Sequence, residues 1–108
     1  MAEQLHQEIF KKLKESVPGL QWDFRENDEV GALITACFVV CRFDGTQETH
    51  PVAHLSIIKR RDKGWRYSVG FMQIRESFVT HETAITWLLS KFRQFAVEEG
   101  RVKQWLNN

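Results

Sequence analysis

The sequence predicts a single two-layer α+β domain over residues 1–108, with an antiparallel sheet of about four strands covered on one face by two helices. Three observations lead to this fold class. Apolar residues recur at helical spacing near both ends of the chain, the middle is rich in β-branched and aromatic residues, and short polar segments divide that middle into strands. Joining the strands in chain order is the simplest topology, so we expect a meander.

The first half of the chain predicts one helix and two strands. Residues 3–16 place apolar side chains at helical spacing with Glu and Lys between them, and a Pro-Gly pair then ends the helix. Residues 20–25 alternate apolar and polar side chains, which is the spacing of a half-buried strand. Residues 31–43 lack helix caps and form the second predicted strand. This strand is long enough to contain a bend or a bulge, for example near Gly31.

Residues 52–60 and 65–75 are the third and fourth predicted strands. The segment between them suits a three-residue hairpin loop in which Gly64 takes the left-handed conformation. Arg61 then lies opposite Trp65, and this sets which side chains share a face. The face expected to point into the core carries Leu55, Ile57, Tyr67, Val69 and Phe71.

The last element is predicted to be a helix that starts after Thr80. The Thr80 hydroxyl is expected to cap the helix, and an apolar stripe from Ile85 to Ala96 is expected to pack on the sheet. Gly100 is expected to end or weaken it. The tail, residues 101–108, is expected either to pack back onto the domain or to stay mobile.

The second face of the sheet is predicted to be open to solvent or to a partner, because each helix has only one apolar stripe. Exposed apolar patches of this kind indicate protein contacts. A symmetric dimer that packs sheet face on sheet face would also bury the patch. The residues expected to form this contact are Val52, His54, Ile58, Met72 and Ile74.

The chain as a whole is nearly neutral, with a formal net charge of +1, but its charges are segregated. Residues 18–50 contain six acidic and two basic residues, whereas residues 51–75 contain six basic and one acidic. Most of the basic residues fall on the predicted hairpin, next to two aromatic residues. The predicted binding residues of this hairpin are Lys59, Arg60, Arg61, Lys63, Trp65 and Arg66, with Tyr67 beside them.

This basic hairpin has two interpretations. Cations contact phosphates and aromatic rings stack on unpaired bases, so the hairpin could bind nucleic acid. Alternatively, lysine and arginine at a hairpin tip simply protect strand edges from aggregation, and the aromatic rings cover the end of the core.

Several classes of site are not expected. Cys37 and Cys41 lie four residues apart on a strand, which is about 13 Å and too far for a disulfide or a shared metal ion. His50 and His54 are separated by Pro51, which rules out the helical spacing of a metal pair. We expect no cofactor, no metal and no catalytic residues. The amphipathic N-terminal segment is not expected to be a signal peptide, and no apolar stretch approaches the length that crosses a membrane, so the expected location is the cytoplasm.

These observations favour a small, non-enzymatic binding protein that acts through protein–protein contact, as an adaptor, an inhibitor or a regulator of a bacterial or phage type. The open sheet face and the basic hairpin would form its contacts, and the hairpin would steer it to an acidic partner. A homodimer is compatible with the same surfaces. The alternative is a nucleic-acid-binding domain that uses the basic and aromatic hairpin, residues 59–67.

Overall fold

The computed structural model describes residues 2–27, 31–60 and 64–99. A helix, a five-stranded sheet and a second helix follow one another along the chain. The predicted α+β class is therefore confirmed, with one strand more than expected. The elements are α1 (Ala2–Ser16), β1 (Gln21–Asn27), β2 (Gly31–Cys41), β3 (Gln47–Arg60), β4 (Gly64–Phe71), β5 (Ile74–Phe78) and α2 (His81–Glu99).

The sheet is an antiparallel meander with the strand order β1-β2-β3-β4-β5. The prediction of one continuous strand over residues 65–75 is wrong. The chain turns after Phe71, which pairs with Ile74 across a two-residue connection. Met72 adopts a positive φ of 56° in this turn, and its N–H donates a hydrogen bond to the carbonyl oxygen of Val52 at 2.9 Å.

Both helices pack on the same face of the sheet, as predicted. Alternate residues of β2, β3 and β4 point to this side and form one buried cluster with the apolar stripes of α1 and α2. Ile34, Leu55 and Val69 lie side by side at its centre, and each is 0% exposed. Two helices are wide enough to cover one face of this sheet. The opposite face points away from the core.

The hairpin of β3 and β4 differs from its prediction by two residues. Arg60 pairs with Gly64, whereas the sequence placed Arg61 opposite Trp65. A shift of two residues keeps every side chain on its predicted face, because side chains alternate with a period of two. The five side chains predicted to face the core are therefore buried. Gly64 has a φ of +70°, so it takes the left-handed conformation that the sequence predicted.

A β-bulge in β3 produces the largest departure from the predicted pattern. Ala36 pairs with Ala53 and Cys37 pairs with Pro51, which leaves Val52 without a partner on β2. Two consecutive residues, Val52 and Ala53, are buried there, at 3% and 5% exposed. The bend lies at this position and not at Gly31.

The second helix begins as predicted. Thr80 Oγ1 accepts a hydrogen bond from the backbone N–H of Thr83 at 3.3 Å, which is the geometry of an N-cap. The helix ends at Glu99 in the described part of the chain. Gly100 and the tail 101–108 lie outside the described residues.

The positive φ of Met72 predicts an inverted order of stability for two substitutions. Met72→Gly is expected to have a free energy of unfolding about 1 kcal/mol higher than Met72→Ala, because only glycine adopts this backbone conformation without strain. Both variants lose the same side chain, so the comparison isolates the backbone. Urea denaturation measures both values.

Gln73 in the same turn provides the control. It is not among the non-glycine residues with a positive φ, so the usual order applies, and alanine should exceed glycine by about 0.5 to 1 kcal/mol. If alanine were the more stable variant at both positions, the backbone assignment of Met72 would be wrong.

Candidate partner-binding surface

The uncovered face of the sheet, called the open face below, carries an unusual concentration of arginine. Side chains at alternate positions of each strand point to it, opposite to the core. Four arginines reach it from four different strands, and Asp23 is its one carboxylate among the described residues. The main side chains of the open face are Asp23, Arg25, Leu33, Thr35, His54, Ser56, Ile58, Arg60, Arg66, Ser68, Arg75 and Ser77.

Three of these arginines have no ion pair within the described residues. Arg25 pairs with Asp23, with 3.1 Å between Nε and Oδ2. No described carboxylate lies within ion-pair distance of Arg60, Arg66 or Arg75. The open face is therefore positively charged, although the whole chain is close to neutral.

Two exposed apolar side chains lie among the arginines. Leu33 is 38% exposed and Ile58 is 46% exposed, and the strand pairing makes them diagonal neighbours on β2 and β3. Arg25 pairs directly with Leu33, and Arg66 pairs directly with Ile58. The arrangement is an apolar centre with cations at its edge.

A glycine shapes the neighbouring part of the open face. The ring of His54 occupies the space beside Gly70, so that a Cβ at position 70 would lie 2.2 Å from the ring. Burial, with a smaller contribution from the nearby Arg75 guanidinium, lowers the pKa of His54 from its ordinary value of 6.5. The imidazole is therefore neutral at neutral pH, and the charge of the open face comes from arginine.

Next to these groups, three serines form a row across the sheet. Ser56 pairs with Ser68, and Ser68 pairs with Ser77. Their hydroxyls can donate or accept hydrogen bonds. They give the open face polar contacts that do not depend on charge.

Only part of the predicted open-face contact lies together. His54 and Ile58 are on the open face, as expected. Val52 is buried because of the bulge, so its predicted exposure is wrong. Met72 lies in the turn, and Ile74 points to the helix side because it pairs with the core residue Phe71.

The basic hairpin is divided between the two faces of the sheet. Arg60 and Arg66 point to the open face, while Lys59 and Trp65 pair with each other on the helix side. The Lys59 ammonium lies 5.9 Å from the centre of the Trp65 ring. Arg61 and Lys63 lie outside the described residues.

The two aromatic residues of the hairpin are directed away from the arginines. Trp65 is half-buried and meets the ring of His6 edge-on, with 5.1 Å between the ring centres. Tyr67 is 4% exposed, and burial, with a contribution from Glu82, raises the pKa of its hydroxyl. Neither ring is presented beside Arg60 and Arg66 for stacking on a base.

Comparisons of this chain with protein-family profiles, with characterised proteins and with solved structures find no match. Neither helix within the described residues is both long and apolar enough to cross a bilayer. No group of three or more His, Cys, Asp or Glu side chains in the described segments could hold a metal ion. Cys37 is half-buried and Cys41 is exposed, and both are free thiols.

A buried histidine was not singled out from the sequence. His6 is 3% exposed, and its Nδ1 lies 3.2 Å from Glu26 Oε2. The pair joins α1 to β1, and the Trp65 ring lies against it. The helical spacing of His6 with Ile9 and Leu13 is the signal that places it on the buried stripe of α1.

A second missed feature is a long two-stranded extension, residues 38–50, called the ribbon below. β1 pairs with β2 only as far as Cys37, and β4 pairs with β3 only as far as Ala53. The ribbon strands therefore pair only with each other. The sequence predicted the third strand only over residues 52–60, so the first part of β3 was missed.

Proposed function

We propose that this protein is a non-enzymatic binding protein whose open face binds an acidic partner protein. The observation that carries the proposal is the charge of that face, which receives arginines from β1, β3, β4 and β5 and one carboxylate from the described residues. Charge complementarity of this kind steers association and selects the partner.

The apolar centre favours a protein over other anionic ligands. Protein interfaces combine an apolar core with a polar edge, and arginine is enriched in them. Leu33 and Ile58 provide the core, and Arg25 and Arg66 provide the edge. Single-stranded nucleic acid instead needs aromatic rings for stacking, and Trp65 and Tyr67 are on the opposite side.

The sheet also holds these groups in fixed positions. Arg25 lies next to Phe24, and Arg66 lies between Trp65 and Tyr67, all of which pack on the core side of the sheet. Little backbone entropy is therefore lost when a partner binds, which favours affinity. Arg60 and Arg66 are the part of the predicted basic hairpin that takes part in this contact.

The experiment measures binding of two labelled probes by fluorescence anisotropy at low salt. One probe is an acidic peptide of glutamate and leucine, and the other is a single-stranded oligonucleotide of equal charge. We expect the protein to prefer the peptide. The double variant Arg66→Glu with Arg75→Glu should bind the peptide about a hundredfold more weakly, because two attractive charges become repulsive.

Two further variants serve as controls. Lys12→Glu with Arg93→Glu makes the same change in net charge on exposed helix positions and should leave peptide affinity within about twofold. Ile58→Ser should weaken peptide binding about tenfold and leave oligonucleotide binding unchanged. The proposal is contradicted by absence of peptide binding, or by tighter oligonucleotide binding that is insensitive to Ile58→Ser.

A further inference from the structure

The ribbon projects from the domain without support from neighbouring strands. Its strands run about 20 Å from Cys37 to Phe43, at about 3.3 Å per residue. The described part of the molecule is correspondingly elongated, with principal extents of 50, 29 and 24 Å. The far end of the ribbon is therefore well separated from the core.

The tip of the ribbon is ordered by hydrogen bonds and presents an aromatic ring to solvent. The N–H of Arg42 donates to the carbonyl oxygen of Thr46 at 2.8 Å. The Asp44 carboxylate accepts from both the N–H and the hydroxyl of Thr46, at 2.9 and 2.6 Å. Phe43, between Arg42 and Asp44, is completely exposed, at 113% of its reference area. A large aromatic side chain on a fixed loop is typical of a binding anchor.

An apolar groove of suitable size lies on the helix side, at the base of the ribbon. Its volume is about 170 Å³, and Phe71, Met72, Ile74, Lys91 and Phe95 line it. An apolar cavity of about 150 Å³ accommodates benzene. The hydrogen bond from Met72 to Val52 ties the groove to the ribbon base.

We infer that the groove receives Phe43 of a second copy of this chain, and that the two copies form a closed two-fold dimer. When two ribbons lie antiparallel with their helix-side faces together, each tip reaches the base of the other ribbon, because tip and base are one ribbon length apart. The identical contact is then made twice, which closes the assembly.

The charges at the two ends of this contact are complementary. Asp44 follows Phe43 directly, and its hydrogen bonds with Thr46 lower the pKa of its carboxyl, so it is ionised at neutral pH. Lys91 lines the groove, and its ammonium lies 5.4 Å from the centre of the Trp87 ring. Along the ribbon, Arg42 and Glu48 lie on the helix side and form an ion pair, with 2.6 Å between Nη2 and Oε2. The exposed side chain of Val40 lies on this side and becomes covered.

The dimer contact does not involve Leu33, Ile58 or the arginines of the open face. The dimer can therefore be disproved while the proposed function holds, and the proposed function can be disproved while the dimer holds. Sedimentation velocity over a range of concentrations tests it. The wild-type chain should be a dimer. Phe43→Ser should raise the dimer dissociation constant more than about a hundredfold, because each dimer loses two buried rings. Its circular dichroism should be unchanged, since the ring is exposed in the single chain.

A double-mutant cycle tests the orientation. Asp44→Asn keeps the side-chain oxygen that Thr46 needs and should weaken the wild-type dimer about threefold. It should have no effect when Lys91 is already replaced by glutamine. Val79→Ser, at an exposed position away from the groove, should leave the dimer unchanged.

Three outcomes would overturn the inference. A wild-type chain that remains monomeric at every concentration contradicts it. So does a dimer that Phe43→Ser does not weaken. A chain that dimerises only after residues 101–108 are removed would show that its own tail fills the groove, and would exclude the dimer for the full chain.

Discussion

Phe92→Ala should lower the free energy of unfolding by about 3 to 5 kcal/mol. Phe92 is 1% exposed. Its ring meets Phe71 edge-on with 4.9 Å between the centres, and it lies 6.3 Å from the Trp22 ring. It therefore connects α2 with both β4 and β1. Truncation removes the burial of a whole ring and leaves a cavity that three separate elements cannot easily close.

Urea denaturation of the wild type and the variant measures this effect, with an unchanged slope as evidence that the same transition is observed. Val79→Ala is the control, because Val79 is 69% exposed and should change stability by less than about 0.5 kcal/mol. A loss below about 1 kcal/mol for Phe92→Ala would show that α2 does not pack on the sheet as described.

Gly31→Ala should cost about 3 kcal/mol or more, for two independent reasons. The φ of Gly31 is +121°, a conformation that residues with a side chain rarely adopt. In addition, a Cβ at this position would lie 1.7 Å from the carbonyl oxygen of Ile57. Since that oxygen belongs to the backbone of β3, the clash can be relieved only by moving one strand away from the other.

Gly45→Ala separates the cost of the backbone conformation from the cost of the steric clash. Gly45 also has a positive φ, of +87°, but nothing lies within 4 Å of the position of its Cβ. Alanine there should cost about 1 to 2 kcal/mol from the backbone conformation alone. The difference between the two variants measures the clash of Gly31 with β3. Equal losses would contradict the close approach of β2 to β3 at this point.

The element types were predictable from the sequence because their patterns are local. The helical spacing of α1, the strand alternation of β1 and the cap at Thr80 each depend on a few neighbouring residues. The break at Met72 was not predictable in this way. Met-Gln is not a turn sequence. The Met72 N–H donates to the carbonyl oxygen of Val52, twenty residues earlier in the chain, and no local pattern reveals such a contact.

On the open face, too, the features set by neighbouring residues were predictable and those set by distant contacts were not. Strand alternation correctly placed His54 and Ile58 there, because an error of two residues in register leaves each side chain on the same face. It failed at Val52, because a bulge next to Pro51 reverses the alternation there. The side chains that β1 and β5 place on the open face were not predicted, because these strands join the open face only when the whole sheet is assembled.

The most direct test of the proposed binding surface is the NMR signal of the arginine Nε–Hε groups during titration with the acidic glutamate–leucine peptide. The signals of Arg60, Arg66 and Arg75 should shift together as the peptide saturates the protein. The signals of Arg42 on the ribbon and Arg93 on α2 should remain in place. Equal shifts at Arg42 and Arg93 would show that the peptide binds positive charge wherever it occurs, and would contradict a binding surface on the open face.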